Sequence, residues 1–378
     1  MSISIKYKIK IILSFLFIII NLISIMHADK QKMIICVPVT DLRSECVLPP
    51  KLRLPALPDY NPLEDSQLLF NEYVLGEDLG NGWLRIQAPE QWTLSEDRWV
   101  FYPGYILKAH AMPVAEFPRY NLVVTSPLIS VNFHGIKTFS SKKVTLYAGT
   151  RLPGTYISRD KIWEVEIVSS DNTTYLGYIE KSFVLETLST EQDPLLIDEE
   201  KLREFVVSRA RSFLGMPYCW GGRSTFDPEE RVMFTSLDCS GLVYTVYRSL
   251  GLFVPRDAGK QRMYMLEISH GANLKPGDLI FFEPHGPKGL KHIAIYTGDN
   301  KFIESQGLFE PGLLREISSL DHPGIRVPVT KLKSGTIISH DDLAYTIFFG
   351  SLLCSLEKRI EMRTRFLDPF SLPSSEAH

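Results

Sequence analysis

Nowhere among the 378 residues do cysteine and histidine stand together at zinc-ligand spacing, and the nine histidines are scattered, so no structural metal is expected. Charge of one sign is missing too. A formal net charge of −3 leaves nothing to recruit nucleic acid or an acidic surface by bulk electrostatics. The apolar run Ile11–Ile25 falls short of the about twenty residues that a membrane span takes. Cysteine is sparse and odd in number: Cys36, Cys46, Cys219, Cys239 and Cys354, so in an exported chain at least one thiol is left over. Cys36 and Cys46 either bridge across a short loop or stay free, and Cys219 and Cys354 default to buried, inert residues. What remains is ordinary globular composition, 44% apolar and 22% charged, in a chain long enough for two or three domains.

The Ile11–Ile25 run follows Lys6, Lys8 and Lys10 and gives way to MHADKQK, the grammar of an export signal. Residues 1–28 are therefore read as a leader, cleaved after Ala28 or, because Met26 is not the small residue favoured there, retained as an anchor. Up to residue 62 the chain is proline-rich (VLPPKLRLPALPDYNP) and extended rather than helical. Beyond it lies a weak repeat. NGWLRIQAPE and then YPGYILKAHAM are echoed by KIWEVEIVSS and then YLGYIEKSFVL. Each copy has an aromatic-led alternating strand, a polar turn, and Gly-Tyr-Ile opening another strand, as small β-barrels do. Residues 29–127 and 128–188 thus resemble a tandem of bacterial SH3-type units, against the alternative of one irregular β-domain. An acidic linker, 189–200, leads to a helix carrying Leu202, Phe205, Val206, Ala210 and Phe213 and ending at Gly215. Residues 201–335 form a third domain. In the tail, 336–378, AYTIFFGSLLCSL predicts one more helix around 343–360, and PFSLPSSEAH reads as disordered.

The stretch SLDCSGLVYTVYRSLG carries the chemistry. From Cys239, apolar residues recur at Leu242, Val243, Val246, Tyr247 and Leu250, a helix with one buried face, and Gly251 stops it. Asp238 can cap its start, which puts Cys239 in the first turn at the positive end of the helix dipole. The Asp238 charge opposes a thiolate there, so a further cation is required. His292 supplies one, since in KHIAIYTGDNKFIESQG it heads a strand shared with Ala294 and Tyr296. A third polar group orients the other ring nitrogen in such pairs. With a three-residue loop, Gly298 to Asn300, Glu304 falls on the His292 face with Gln306 behind it; a two-residue loop puts Ser305 there instead.

MPYCWGGRS, LDCSGLV, PRDA, KPGDLIFF, HIAIY and FIES, in this order, resemble the NlpC/P60 family of cysteine peptidases over about residues 203–310. With the SH3-like units ahead, the chain further resembles that family's γ-D-glutamyl-L-diamino acid endopeptidases. The resemblance implies an α+β architecture: two small SH3-like β-barrels followed by a papain-like catalytic domain. It also implies hydrolysis of peptidoglycan stem peptides between D-glutamate and the diamino acid, without a cofactor, in an exported protein. It makes Cys239 the nucleophile, His292 the general base and Glu304 the third residue, where the family usually has histidine. Tyr218 helps hold the oxyanion beside the Cys239 N–H, or only packs. Asp238 and Ser240 are expected near the substrate's amino end, with Tyr102 of the first barrel as a partner; helix capping alone is the alternative for Asp238. Arg256 meets a substrate carboxylate or pairs with Asp257 or another carboxylate of the chain. The segment FDPEERVMFTSL between Gly222 and Asp238 is longer than in compact relatives, and is either a cleft wall or a surface insertion. Two other readings stay open: a papain-like amidase or acyltransferase, and a wall-binding protein with a silent site.

Overall fold

The two copies of the repeat fold alike. In the first, β5 (Trp83–Ser95) and β6 (Arg98–Leu107) form a hairpin, a 3-10 turn follows at Lys108–His110, and β7 (Ala111–Pro113) closes the unit. In the second the same sequence of elements is β13 (Ile162–Val168), β14 (Thr174–Glu180), a 3-10 turn at Lys181–Phe183 and β15 (Val184–Glu186). The shared Gly-Tyr-Ile has a steric reason. A Cβ on Gly104 would sit 2.6 Å from Leu42, and one on Gly177 would sit 2.7 Å from Phe133, so each glycine lets a core side chain lie flat against the strand.

The structure, a computed structural model, describes residues 30–48, 63–137, 140–169, 173–187, 193–227, 235–286, 291–306, 312–340 and 343–371. The expected leader lies outside them, as do much of the proline-rich segment and of the linker, residues 228–234 of the FDPEERVMFTSL segment, and most of the PFSLPSSEAH end. Among the described residues all five cysteines are free thiols, and no helix is long and apolar enough to cross a membrane.

In the first unit, β1 (Gln31–Ile35), β2 (Val39–Arg43), β3 (Glu64–Leu69) and β4 (Tyr73–Asp78) join the β5–β6 hairpin and β7 in one sheet of order β3-β2-β6-β5-β4-β1-β7. The second unit has two sheets. One contains β9 (Leu128–Gly135), β10 (Ser141–Tyr147), β12 (Gly154–Ile157), β13 and β14; the other pairs β8 (Leu122–Val124) with β11 (Arg151–Leu152) and β15. Leu122–Val124, ahead of the expected boundary at 127, pairs with β11 and β15 of this second group.

The third unit begins with α1 (Pro194–Ile197) and α2 (Glu199–Arg211), the latter capped by Asp198. α3 (Cys239–Arg248) and α4 (Ala258–Tyr264) follow. The antiparallel sheet runs β16 (Leu266–Ile268), β22 (Leu343–Ser351), β17 (Leu279–Pro284), β18 (His292–Gly298), β19 (Lys301–Ser305) and β20 (Leu314–Ser318), with β21 (Thr336–His340) also paired to β22. The helix expected over 343–360 is therefore corrected: its first half is the interior strand β22, and α5 (Leu356–Leu367) starts later. AYTIFFGS is apolar on both sides because both sides are covered, Ile347 and Phe349 by one core and Phe348 by the other. Such a run has no periodicity to tell strand from helix. β21 and β22, past residue 335, belong to the same sheet as β16–β20. One core lies between the sheet and α2–α3, including Val206, Leu242, Val246, Ile293, Ile295 and Ile303. It is a β-rich α+β protein.

Candidate active site

The helix that carries the thiol starts where it does because Asp238 stops the preceding chain in an extended conformation and caps α3. Its carboxylate accepts the Gly241 N–H at 2.5 Å. The capping segment lies against the MPYCWGG loop, with the Asp238 N–H donating to the Gly222 carbonyl at 3.0 Å. Only glycine fits at 241, because a Cβ there would collide with that carbonyl. Cys239 is thereby held in the first helical turn, where backbone N–H groups have no helical acceptor.

His292 opens β18 with its ring against the thiol. Its Nε2 and Glu304 Oε2 are 2.8 Å apart, which leaves Nδ1 for the hydrogen bond to Cys239. Burial disfavours a charged ring, but the hydrogen bonds and charges of Cys239 and Glu304 outweigh it and raise His292 from 6.5 to about 10. Burial likewise opposes ionisation of Glu304, yet the bond to His292 and the charges of His292, His322 and Arg315 bring it from 4.5 down to about 2. The pair is an imidazolium and a carboxylate at neutral pH.

Glu304 stands opposite Ala294, the register expected of a three-residue loop. The chain reaches it by another route. Asp299 and Asn300, both left-handed with φ of 50° and 58°, make a two-residue turn, and a register shift between Tyr296 and Gly298 restores the parity. Ser305 takes the opposite face and donates to the Leu237 carbonyl at 2.7 Å, tying β19 to the lead-in of α3. Gln306 is buried beyond the end of the ladder.

Tyr218 lies beside the thiol. Burial, then the neighbouring charge of Cys239, push its phenol upward, so it remains a neutral donor. Asp238, Ser240 and Arg256 form a closed set instead of an open pocket. Arg256 is 1% exposed and donates to Asp238 Oδ2 at 2.7 Å, Ser240 Oγ at 2.9 Å, Ser66 Oγ at 2.8 Å and the Gly221 carbonyl at 2.7 Å. The guanidinium is thus engaged within the chain, as in the second reading given for it, with Asp238 as the carboxylate. It also answers the Asp238 charge beside the nucleophile.

Tyr102 turns to a different acid. Its hydroxyl donates to Asp257 Oδ1 at 3.0 Å, and Thr93 donates to Oδ2 at 3.0 Å. Asp257 precedes α4 without capping it, because its carboxylate faces the first unit. Burial raises it from the usual carboxylate range, and the same holds for half-buried Asp65, whose next cause is the Asp257 charge. Two carboxylates that repel each other thus lie with the Tyr102 phenol, their repulsion partly offset by the Arg256 charge. Sequence reasoning quoted Asp257 only as a partner for Arg256; Asp65 and Thr93 carried no signal at all. Arg315 and His322, which face Glu304, were missed as well.

The comparisons fit this geometry. The model of the NlpC/P60 family matches residues 215–325. The chain is 26% identical over 244 residues to the gamma-D-glutamyl-L-lysine dipeptidyl-peptidase of Bacillus subtilis (strain 168), covering 64% of this chain and 71% of that one. It is 28% identical over 254 residues to the enzyme of the same name from Bacillus cereus, covering 66% and 69%. A crystal structure of an NlpC/P60 family protein from Bacillus cereus superposes with a TM-score of 0.58 at 22% identity, over 80% of this chain and 98% of that one, a likeness of fold. Residues 215–325, with the Cys239–His292–Glu304 cluster among them, are an NlpC/P60 domain.

Proposed function

We propose that the chain is an exported cysteine endopeptidase that hydrolyses peptidoglycan stem peptides at the γ-D-glutamyl–diamino acid bond, its two N-terminal β-units being SH3-like. The observation that carries this reading is the thiol at the start of α3 in contact with an imidazolium that Glu304 holds. In the first step Cys239 sulfur attacks the γ-carbonyl carbon. The developing oxyanion is met by the Cys239 N–H and the neutral Tyr218 hydroxyl. The C–N bond breaks, the leaving amine takes the Nδ1 proton of His292, and a thioester remains. Water then gives a proton to His292 and its oxygen attacks the thioester; the C–S bond breaks, releasing the thiolate and the D-glutamyl γ-carboxylic acid, which loses its proton to solvent.

The Asp65–Asp257–Tyr102 group sets which end of the peptide is held. A free alanyl ammonium placed between Asp257, Asp65 and Tyr102 would relieve the repulsion of the two carboxylates, so the amine contact moves from Asp238 to Asp257. A desolvated ammonium–carboxylate contact is worth about 2–4 kcal/mol when one partner is removed. N-acetylated L-Ala-γ-D-Glu-diamino acid peptides should accordingly be cleaved at least about tenfold more slowly than free ones. Mass spectrometry of both digests, with Cys239→Ala as the blank, tests the reading. Equal rates on free and acetylated peptides would remove this group from recognition. Wall binding without turnover in the wild type would replace the enzyme with a binding protein.

A further inference from the structure

Glu304 is 0% exposed, and a buried carboxylate with one hydrogen bond to a histidine is free to swivel or to take up a proton. Here it does neither, because of a residue one strand further out. In the β19–β20 ladder Glu304 stands opposite Arg315, whose Nε and one Nη donate to Oε1 at 3.0 and 2.9 Å. Both donors converge on the same oxygen, Oε1, while His292 bonds the other, Oε2. His322 closes the remaining side. Its ring packs against Phe282 and Phe302, its Nδ1 accepts the Gly324 N–H at 3.2 Å, and its Nε2 lies 3.9 Å from Oε2, near enough to act by charge but beyond hydrogen-bond distance.

We infer that Arg315 is a positioning residue for the reaction, fixing the Glu304 carboxylate as an anion turned toward His292. The inference rests on the reading of His292 as the base. It explains how glutamate serves in this position: a carboxylate buried beside the imidazole is held ionised by a guanidinium fork across the sheet. Among the described residues, the charged and titratable groups facing the pair are Cys239 from α3, Arg315 from β20 and His322 from the loop after it. Glu283 and Lys291, which flank the strand ends, pair with each other at 2.7 Å.

Arg315→Met leaves Glu304 with one cation fewer. Glu304 then takes up a proton at higher pH, and the His292 imidazolium, facing a less compensated carboxylate, loses its proton at higher pH. Both limbs of the pH–rate profile therefore move upward. The rate constant kcat falls about ten- to hundredfold, as misplacing a catalytic group by roughly an ångström does, while KM changes little. Arg315→Lys keeps the charge and loses the fork, so its limbs stay near wild type and kcat is partly recovered. In a Glu304→Gln background, Arg315→Met costs almost nothing further, because the two act as a unit. Ring NMR of His292 in the full chain reads the same upward shift without any peptide, so it stands even if the substrate is misassigned. A loss of kcat with unmoved limbs and an unshifted His292 titration would make Arg315 merely structural, as would a fully additive double mutant. Wild-type behaviour of Arg315→Met would overturn the inference outright.

Discussion

The two β-units share a repeat but not a use. Both hairpins run in step from Trp83 and Trp163, and the second strand of each carries the glycine that admits a core side chain. Then they part. β13 ends at Val168 after seven residues, whereas β5 continues for thirteen, through a register shift between Ala88 and Trp92, to Ser95. The added length contributes further contacts to the third unit, beside those of Ser66, Gln67 and Glu72. Glu90 accepts from Arg248 of α3 at 2.5 Å, Trp92 joins the core between α2, α3 and the sheet, Thr93 reaches Asp257, and Tyr102 lies at the foot of the extension. Tyr178 of the second hairpin, by contrast, is 52% exposed and bonds only its neighbour Glu164, at 3.2 Å. A bulged extension of one repeat thus joins its β-unit to the thiol helix and to Asp257.

The sharpest way to break the comparison is at Glu90. It lies with Glu72 among Arg151, Arg223 and Arg248, all at most 2% exposed and drawn from the three units. Glu90→Ala leaves Arg248 short of a counter-charge, which costs about 3–5 kcal/mol for a buried pair broken on one side. A denaturant melt should show that loss with activity falling in parallel. Glu164→Ala in the shorter hairpin should stay within about 0.5 kcal/mol of wild type. Equal destabilisation by the two would mean that the extension docks through apolar contact alone.

Next in size is the carboxylate behind His292. Glu304→Gln keeps an acceptor but removes the charge that helps raise His292 to about 10, so the alkaline limb should move to lower pH and kcat fall about tenfold. Stability follows the same signs. The raised His292 contributes fully below about 6.5 and loses its contribution as pH climbs through 10, while the lowered Glu304 contributes above 4.5 and loses it as pH falls toward 2. A melting series should be flat between these windows and steeper on both sides than in Cys239→Ala/Glu304→Gln. An unmoved alkaline limb would show that Glu304 only orients the ring.

Residues whose partners are local in sequence were legible. Asp238 caps its own helix, and the β18–β19 hairpin is short enough for parity to place Glu304 facing His292, even though a bulge and a tighter turn replaced the expected loop. Arg315 was not legible, because its pairing with Glu304 depends on the length and path of the chain between β19 and β20, which parity cannot count. Asp257 was visible in PRDA but not its direction, since Tyr102 and Thr93 come from some 155 and 164 residues away. β22 was misread for a thermodynamic reason: a strand covered on both faces keeps apolar residues at every position, and the alternation that betrays a half-buried strand is gone.

The smallest effect tests the Asp65–Asp257–Tyr102 group itself. Tyr102→Phe removes one hydrogen bond to Asp257 and leaves the ring packing, which is worth about 1 kcal/mol or roughly a fivefold change. If that group holds the substrate ammonium, that change belongs in KM for free-amine peptides. It should vanish for acetylated ones, which bring no ammonium to the site. Melting temperature should not move, because half-buried Asp257 keeps Thr93 and regains water. Tyr178→Phe is the matched control on the second hairpin, removing a hydroxyl–carboxylate bond of similar length at an exposed position, and should change neither KM nor kcat. A Tyr102→Phe effect equal on free and acetylated peptides would assign the hydroxyl to packing, leaving Asp65 and Asp257 to be tested as the amine's partners by Asp257→Asn on the same two substrates.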